Sequence, residues 1–157
     1  MEDKDRTLRL KSRFEAQCAK REYCVSDLRE KLMKATDGDS DVTEKILSSL
    51  ITEGYADDLR YASAFAREKA SLTGWGPVKI RYSLASKSID KEIIDAALEG
   101  IDADKAQDRL ERLMQARWKT LEGDPQAKLK LLKFALSRGY GYDLVGKTAD
   151  MITHGNG

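Results

Sequence analysis

The stretch Gly54-Tyr55-Ala56-Asp57-Asp58-Leu59-Arg60-Tyr61-Ala62, continued by Phe65-Ala66-Arg67 and then by Gly74-Trp75-Gly76-Pro77 with Ile80 and Leu84, decides how this chain reads. Asp57 and Asp58 fall where an N-cap and a first helical turn belong. A carboxylate there accepts orphan backbone N–H groups and faces the positive end of the helix dipole. Ala62, Phe65, Ala66, Lys69 and Leu72 then recur at helical spacing and predict one apolar stripe. Gly74 predicts the stop, because glycine enters the left-handed conformation cheaply. Pro77 predicts a new helix, since the first turn has no use for the missing N–H. Ile80 and Leu84 supply its i, i+4 apolar pair.

Reading outward, the same grammar repeats. A first helix is predicted from about Thr7 to Arg21 with Leu10, Phe14 and Cys18 on one face, after a frayed 1–6. Ser26 is read as the cap of a second helix carrying Leu28 and Leu32. A third carries Val42, Ile46, Leu47 and Leu50. Beyond the opening stretch, Asp90 is read as the cap of a helix with Ile93, Ile94 and Ala97, closed at Gly100. A long helix follows from Ala103 to Leu121 with Ala106, Leu110, Leu113 and Met114 in line. After Gly123-Asp124-Pro125 comes a helix with Leu129, Leu132 and Leu136, and a last one begins near Asp143. No segment shows strand alternation.

These helices group in threes. Val42, Ile89 and Tyr140 open equivalent third helices, followed by Ile46-Leu47, Ile93-Ile94 and Leu144-Val145, at spacings of 47 and 51 residues (89 − 42 and 140 − 89). A regular period of three-helix units predicts an all-α chain of three tandem repeats, elongated and curved, each burying its face against its neighbour. The expected units are 1–53, 54–101 and 102–153, with 154–157 as a disordered tail.

Composition narrows the function classes. The 157 residues are 35% charged and 41% hydrophobic, with a formal net charge of +1. Whole-chain charge therefore says nothing about nucleic acid. Cys18 and Cys24 are the only cysteines and read as reduced thiols. The absence of a long apolar run or a signal-type N-terminus predicts a cytoplasmic protein with no membrane association. One histidine, His154, lies in the tail, so neither a Ser-His-Asp nor a Cys-His site has a base. No Cys/His zinc pattern occurs, Gly74-Trp75-Gly76 lacks the Lys-Ser/Thr of a phosphate loop, and Asp57-Asp58 has no third carboxylate beside it for a metal. The acidic loop Thr36–Asp41 lacks the glutamate of a calcium loop and reads as solvated. The expectation is a non-enzyme without cofactor or metal.

What remains is charge distribution. Arg6 to Arg21 holds six basic residues against one acid, and Arg109 to Arg138 holds eight against three. Basic faces of this kind attract phosphate backbones or acidic protein surfaces. Trp75, in its glycine-flanked turn, is read as an anchor between repeats rather than a base-stacking platform.

The quoted motifs resemble the RecX family, regulators of the RecA recombinase. The likeness rests on Gly54 through Arg67, on Gly74-Trp75-Gly76-Pro77-Val78-Lys79-Ile80 with Leu84, Ile89 and Ile93-Ile94, and on Leu132-Lys133-Phe134 through Arg138-Gly139-Tyr140 to Val145. It implies a monomer of three three-helix repeats that lodges on the RecA–DNA filament. It further implies suppression of filament extension, ATPase and strand exchange in DNA repair, recombination and the SOS response. Arg112, Lys119, Lys128, Lys130 and Lys133, assisted by Arg9 and Arg13, are the expected contact surface. Asp57, Asp58, Arg60, Gly74, Trp75, Gly76 and Pro77 are the structural and interaction motif. Weak binding to single- or double-stranded DNA stays open. So do two rival readings: a direct DNA-binding helix-turn-helix regulator and a purely protein-binding scaffold.

Overall fold

The computed structural model describes residues 2–155, and among them every regular element is helical. The α-helices are α1 (Glu2–Lys20), α2 (Val25–Ala35), α3 (Ser40–Thr52), α4 (Asp58–Glu68), α5 (Pro77–Ser86), α6 (Lys91–Glu99), α7 (Ala103–Thr120), α8 (Ala127–Ser137) and α9 (Tyr142–Gly155). A single π-helical turn, Lys69–Thr73, extends α4. None of these helices is long and apolar enough to cross a membrane.

The helices pack as three triplets, because every closely packed helix pair lies inside α1–α3, α4–α6 or α7–α9. Each triplet holds its own apolar core. The buried positions keep register: Phe14 and Cys18 on α1 become Ala62 and Ala66 on α4, then Leu110 and Met114 on α7. Leu28 and Leu32 are followed by Ile80 and Leu84, then by Leu131 and Ala135. On the third helices, Leu47 and Leu50 correspond to Ile94 and Ala97, then to Val145 and Thr148. Each fully buried Leu or Ile contributes about 1.5–3 kcal/mol relative to exposure. The surface of 10149 Å² exceeds the roughly 7,900 Å² of a compact monomer of this mass, as an elongated chain of small cores requires.

Several local expectations shift for identifiable reasons. The π-turn inserts an extra residue, so Ala70 turns inward and Leu72, expected in the apolar stripe, is 81% exposed. In α8 the inward residues are Leu131 and Ala135, while Leu129 is exposed and Leu132 and Leu136 are half-buried. Ser26 lies inside α2; the N-cap is Cys24, which offers no side-chain bond. Asp90 is the N-cap of α6 but its side chain makes no capping hydrogen bond. The first helix starts at Glu2 rather than near Thr7, and α9 runs on through His154 and Gly155, both expected in a disordered tail. Residues 1, 156 and 157 lie outside the described residues.

Two seams join the triplets. At the first, the Val25 N–H donates to Asp58 Oδ1 at 2.8 Å, so a first-turn aspartate of α4 caps α2. Ser26 Oγ donates to the Lys87 carbonyl at 2.6 Å, and the Lys87 ammonium reaches Asp27 at 3.1 Å. Arg60 Nε donates to Glu22 Oε1 at 2.6 Å. Cys24, from the first triplet, is buried in the second core, and Ala56 in the first. At the second seam the closest contacts are backbone to backbone, with Lys79, Arg138 and Tyr140 side chains donating to carbonyls across it at 3.3–3.4 Å. Gly76 N–H donates to the Arg138 carbonyl at 2.7 Å and Val78 N–H to the Gly139 carbonyl at 2.9 Å. A Cβ on Gly76 would sit 2.5 Å from the Gly139 oxygen, and one on Gly139 would come within 2.7 Å of Lys79 N. Gly139 also has φ +93, which only glycine adopts without strain.

Candidate functional site

The motif residues take up the roles that helix physics assigns. Asp57 caps α4 by accepting from Arg60 N–H at 3.0 Å. Gly74 closes the π-turn at φ +73, and Pro77 opens α5 behind Gly76. Trp75 is half-buried against the second core, edge-on to Phe65 with ring centroids 6.3 Å apart. Asp58 has its carboxyl pushed up, first by burial, while the Val25 N–H pulls it back. Burial likewise pushes the Cys18 and Cys24 thiols up, so neither is a thiolate at neutral pH. Among the described residues no group of three or more His, Cys, Asp or Glu could hold a metal ion.

The seven expected contact residues are spread over two triplets. Arg9 and Arg13 are exposed on α1, with the Arg13 guanidinium 5.6 Å from the centre of the Phe14 ring. Arg112 and Lys119 are exposed on α7, and Arg112 lines a groove of about 430 Å³ with Arg109, Leu72 and Leu113. Lys128 pairs with Asp150 at 3.2 Å and Lys130 with Asp124 at 2.6 Å, so a carboxylate answers each charge. The Lys130 ammonium also holds the Asp124 carboxyl below its ordinary range. Lys133 is exposed with no ion pair among the described residues.

A different set of cations is brought together by aromatic rings. Arg21 and Lys31 lie over Tyr23 at 4.5 and 5.3 Å. Tyr61 stacks on Phe65 with ring centroids 6.0 Å apart. Lys69 lies over both Phe65 and Trp75, at 5.6 and 4.9 Å, and Lys79 lies over Trp75 at 4.5 Å. Lys79 Nζ donates to the Ser137 carbonyl at 3.4 Å across the second seam. There Arg138 lies over Phe134 at 5.2 Å, with Arg117 over the same ring at 5.7 Å. Each triplet thus carries its own cation–aromatic cluster, on Tyr23, on Phe65 and Trp75, and on Phe134. None of the six cations Arg21, Lys31, Lys69, Lys79, Arg117 and Arg138 forms an ion pair among the described residues. Sequence counting noticed Arg117 and Arg138 only as part of a basic stretch; that they share the Phe134 ring depends on how α7 packs on α8.

Comparison with known proteins follows the same lines. Residues 57–98 match the family model described as "RecX, second three-helix domain". The chain is 30% identical over 135 residues to the regulatory protein RecX of Pseudomonas putida (strain W619), covering 82% of this chain and 81% of that protein. The chain belongs to the RecX family. It is 34% identical over 111 residues to the regulatory protein RecX of Clostridium botulinum (strain Alaska E43 / Type E3), covering 68% of this chain and 51% of that protein. This RecX-family chain thus spans about half the length of the clostridial relatives. The crystal structure of RecX from Lactobacillus salivarius superposes with a TM-score of 0.83 at 18% identity, covering 96% of this chain and 98% of that one. The three-triplet fold is therefore a RecX fold.

Proposed function

We propose that this protein regulates the RecA recombinase by binding the RecA–DNA filament and inhibiting its extension, ATPase and strand exchange, without catalysing a reaction itself. Membership of a family named for regulation supports a binding role. The observation that carries the reading is the elongated run of three triplets with uncompensated cations on the first and third. Such a body can lie along a polymer and meet acidic loops or phosphate repeatedly. Arg9, Arg13, Arg112, Lys119 and Lys133 are the exposed contacts in this proposal. Lys128 and Lys130 must first leave Asp150 and Asp124, so they contribute less. The chain acts as a monomer, each triplet serving as one repeat of the bound body.

The test is RecA ATPase on single-stranded DNA with substoichiometric protein. Inhibition is expected, and charge reversal at Lys130 and Lys133 together relieves it, with Lys133→Glu supplying most of the effect. A folded double variant that inhibits like the parent refutes the contact assignment. No inhibition by the parent protein refutes the function.

A further inference from the structure

We infer that the groove between the π-turn and α7 is a docking site for an acidic peptide segment that carries one large apolar side chain between its carboxylates. Arg112 also belongs to the contact surface proposed above, so the site rests on that reading and deepens it: it states what kind of protein segment the surface takes. The groove has a volume of about 430 Å³ and is shared by two triplets. Ser71, Leu72 and Thr73 form one wall, and Arg109, Arg112 and Leu113 the other. The π-turn builds the first wall, since its extra residue carries Ala70 inward and leaves Leu72 81% exposed. Across the second seam, Arg138 Nη1 donates to the Thr73 carbonyl at 3.4 Å and the Tyr140 hydroxyl to the Gly74 carbonyl at 3.3 Å. Both walls are therefore held before any partner arrives, which lowers the ordering cost of binding.

Charge and shape together select the occupant. Arg109 and Arg112 form no ion pair among the described residues. A guanidinium takes a carboxylate through paired N–H groups, so two of them ask for two acids. A single exposed leucine needs no partner, but Leu72 shares a preformed groove with the half-buried Leu113. A nucleic-acid backbone would answer the arginines and leave Leu72 in water. A purely apolar segment would cover Leu72 and leave the arginines unanswered. An apolar side chain flanked by glutamate or aspartate satisfies both, with the apolar contact at the centre and the ion pairs at the rim.

The test is fluorescence anisotropy of a labelled short peptide, one phenylalanine flanked by glutamates, with RecA and DNA absent. Saturable binding is expected, and the same peptide with serine for phenylalanine binds about tenfold more weakly. Arg109→Glu with Arg112→Glu weakens binding about tenfold or more. Leu72→Ser, at an exposed position, weakens it about tenfold. Lys34→Glu with Lys45→Glu, an equal charge change at exposed positions of the first triplet, stays within about twofold of the parent. Far-ultraviolet circular dichroism establishes that each variant is folded. No binding, equal binding of the serine peptide, no loss in Leu72→Ser, equal loss in the charge-matched control, or displacement by oligothymidylate at lower concentration than by unlabelled peptide each overturns the site. Inhibition of RecA ATPase by a parent that binds no peptide leaves the filament reading standing and removes only the groove. Peptide binding without that inhibition removes the filament reading and keeps the groove.

Discussion

Between the first and second triplets, side chains do the joining: the Asp58 carboxylate caps Val25, the Ser26 hydroxyl reaches the Lys87 carbonyl, and two ion pairs bridge the surface. Between the second and third, main chain meets main chain at Gly76 and Gly139, with the Tyr140 hydroxyl donating to the Gly74 carbonyl at 3.3 Å. Both seams use the same topology, since the loop after a triplet's first helix meets the loop before the next triplet's third. The chemistry differs in what can be replaced. Side-chain contacts can be lost one at a time, each for a modest cost. A backbone contact at glycine distance admits no side chain at all. The second seam therefore fixes its geometry more rigidly, and it sets Lys79 against Ser137 and Gly139 of the third triplet.

Gly139→Ala should have the largest effect. The new methyl meets Lys79 in a backbone conformation that alanine resists, which predicts a loss of about 3 kcal/mol or more. For a chain of this size that is a fall of very roughly 6–12 °C in Tm. Thermal melting followed by Trp75 and Trp118 fluorescence would show it. Separate transitions for the two tryptophans would mean the third triplet had uncoupled. A melt within a degree or two of the parent would show that the glycine approach is not what holds this seam. At the first seam, Asp58→Ala should cost about 1–2 kcal/mol by orphaning the Val25 N–H, and Ser26→Ala about 1 kcal/mol. Urea unfolding measures both, and their sum in the double variant tests whether the side chains act independently. A cost at either first-seam position that matched Gly139→Ala would erase the contrast.

Smaller still is Arg60→Ala. The pair with Glu22 lies at the surface, so the expected cost is about 0.5–1 kcal/mol and shrinks as salt rises. Stability of the Gly139 variant relative to the parent should not change with salt. The comparison is sharpened if only the first seam responds.

How much of this was legible beforehand depends on range. Buried pairs four residues apart and glycine or proline punctuation are local, so the nine α-helices among the described residues and their grouping in threes could be read from residues such as Leu28, Ile80 and Leu131's neighbours. The Asp57 cap was legible because its partner lies three residues away. Asp58 was not, because the N–H it caps belongs to Val25, in another triplet. Leu72 misled because a π-turn shifts the helical period by one residue, and nothing in Lys69–Thr73 announces it. The motif pieces at 74–77 and 138–140 were each visible, but only the fold shows that they touch. The meeting of Lys69 and Lys79 on the Trp75 ring was hidden for the same reason. Lys128 and Lys130 drew attention through local charge density, whereas the unpaired cations are sorted by which ring or carboxylate the fold places nearest.

The finest distinction between the seams is their response to acid. Burial raises the Asp58 carboxyl in the folded state, so the folded protein holds that proton more tightly than the unfolded chain does. Stability from this group is then fully present below the unfolded carboxylate value of about 3.9 and declines as pH rises through the raised folded value. Glu44, Glu53 and Asp124 run the other way: their cation partners lower them, and their stabilisation fades as pH falls. Those three are common to parent and variant, so the difference between parent and Asp58→Asn isolates the seam. Asparagine keeps an oxygen to accept from Val25 and removes the charge. Urea unfolding of the pair across the acid range should show the parent losing ground to the variant as pH rises from about 4 toward neutrality. A difference that stayed flat, or grew in the parent's favour, would mean that the Val25 hydrogen bond outweighs burial and that the charged cap is a net stabiliser of the first seam.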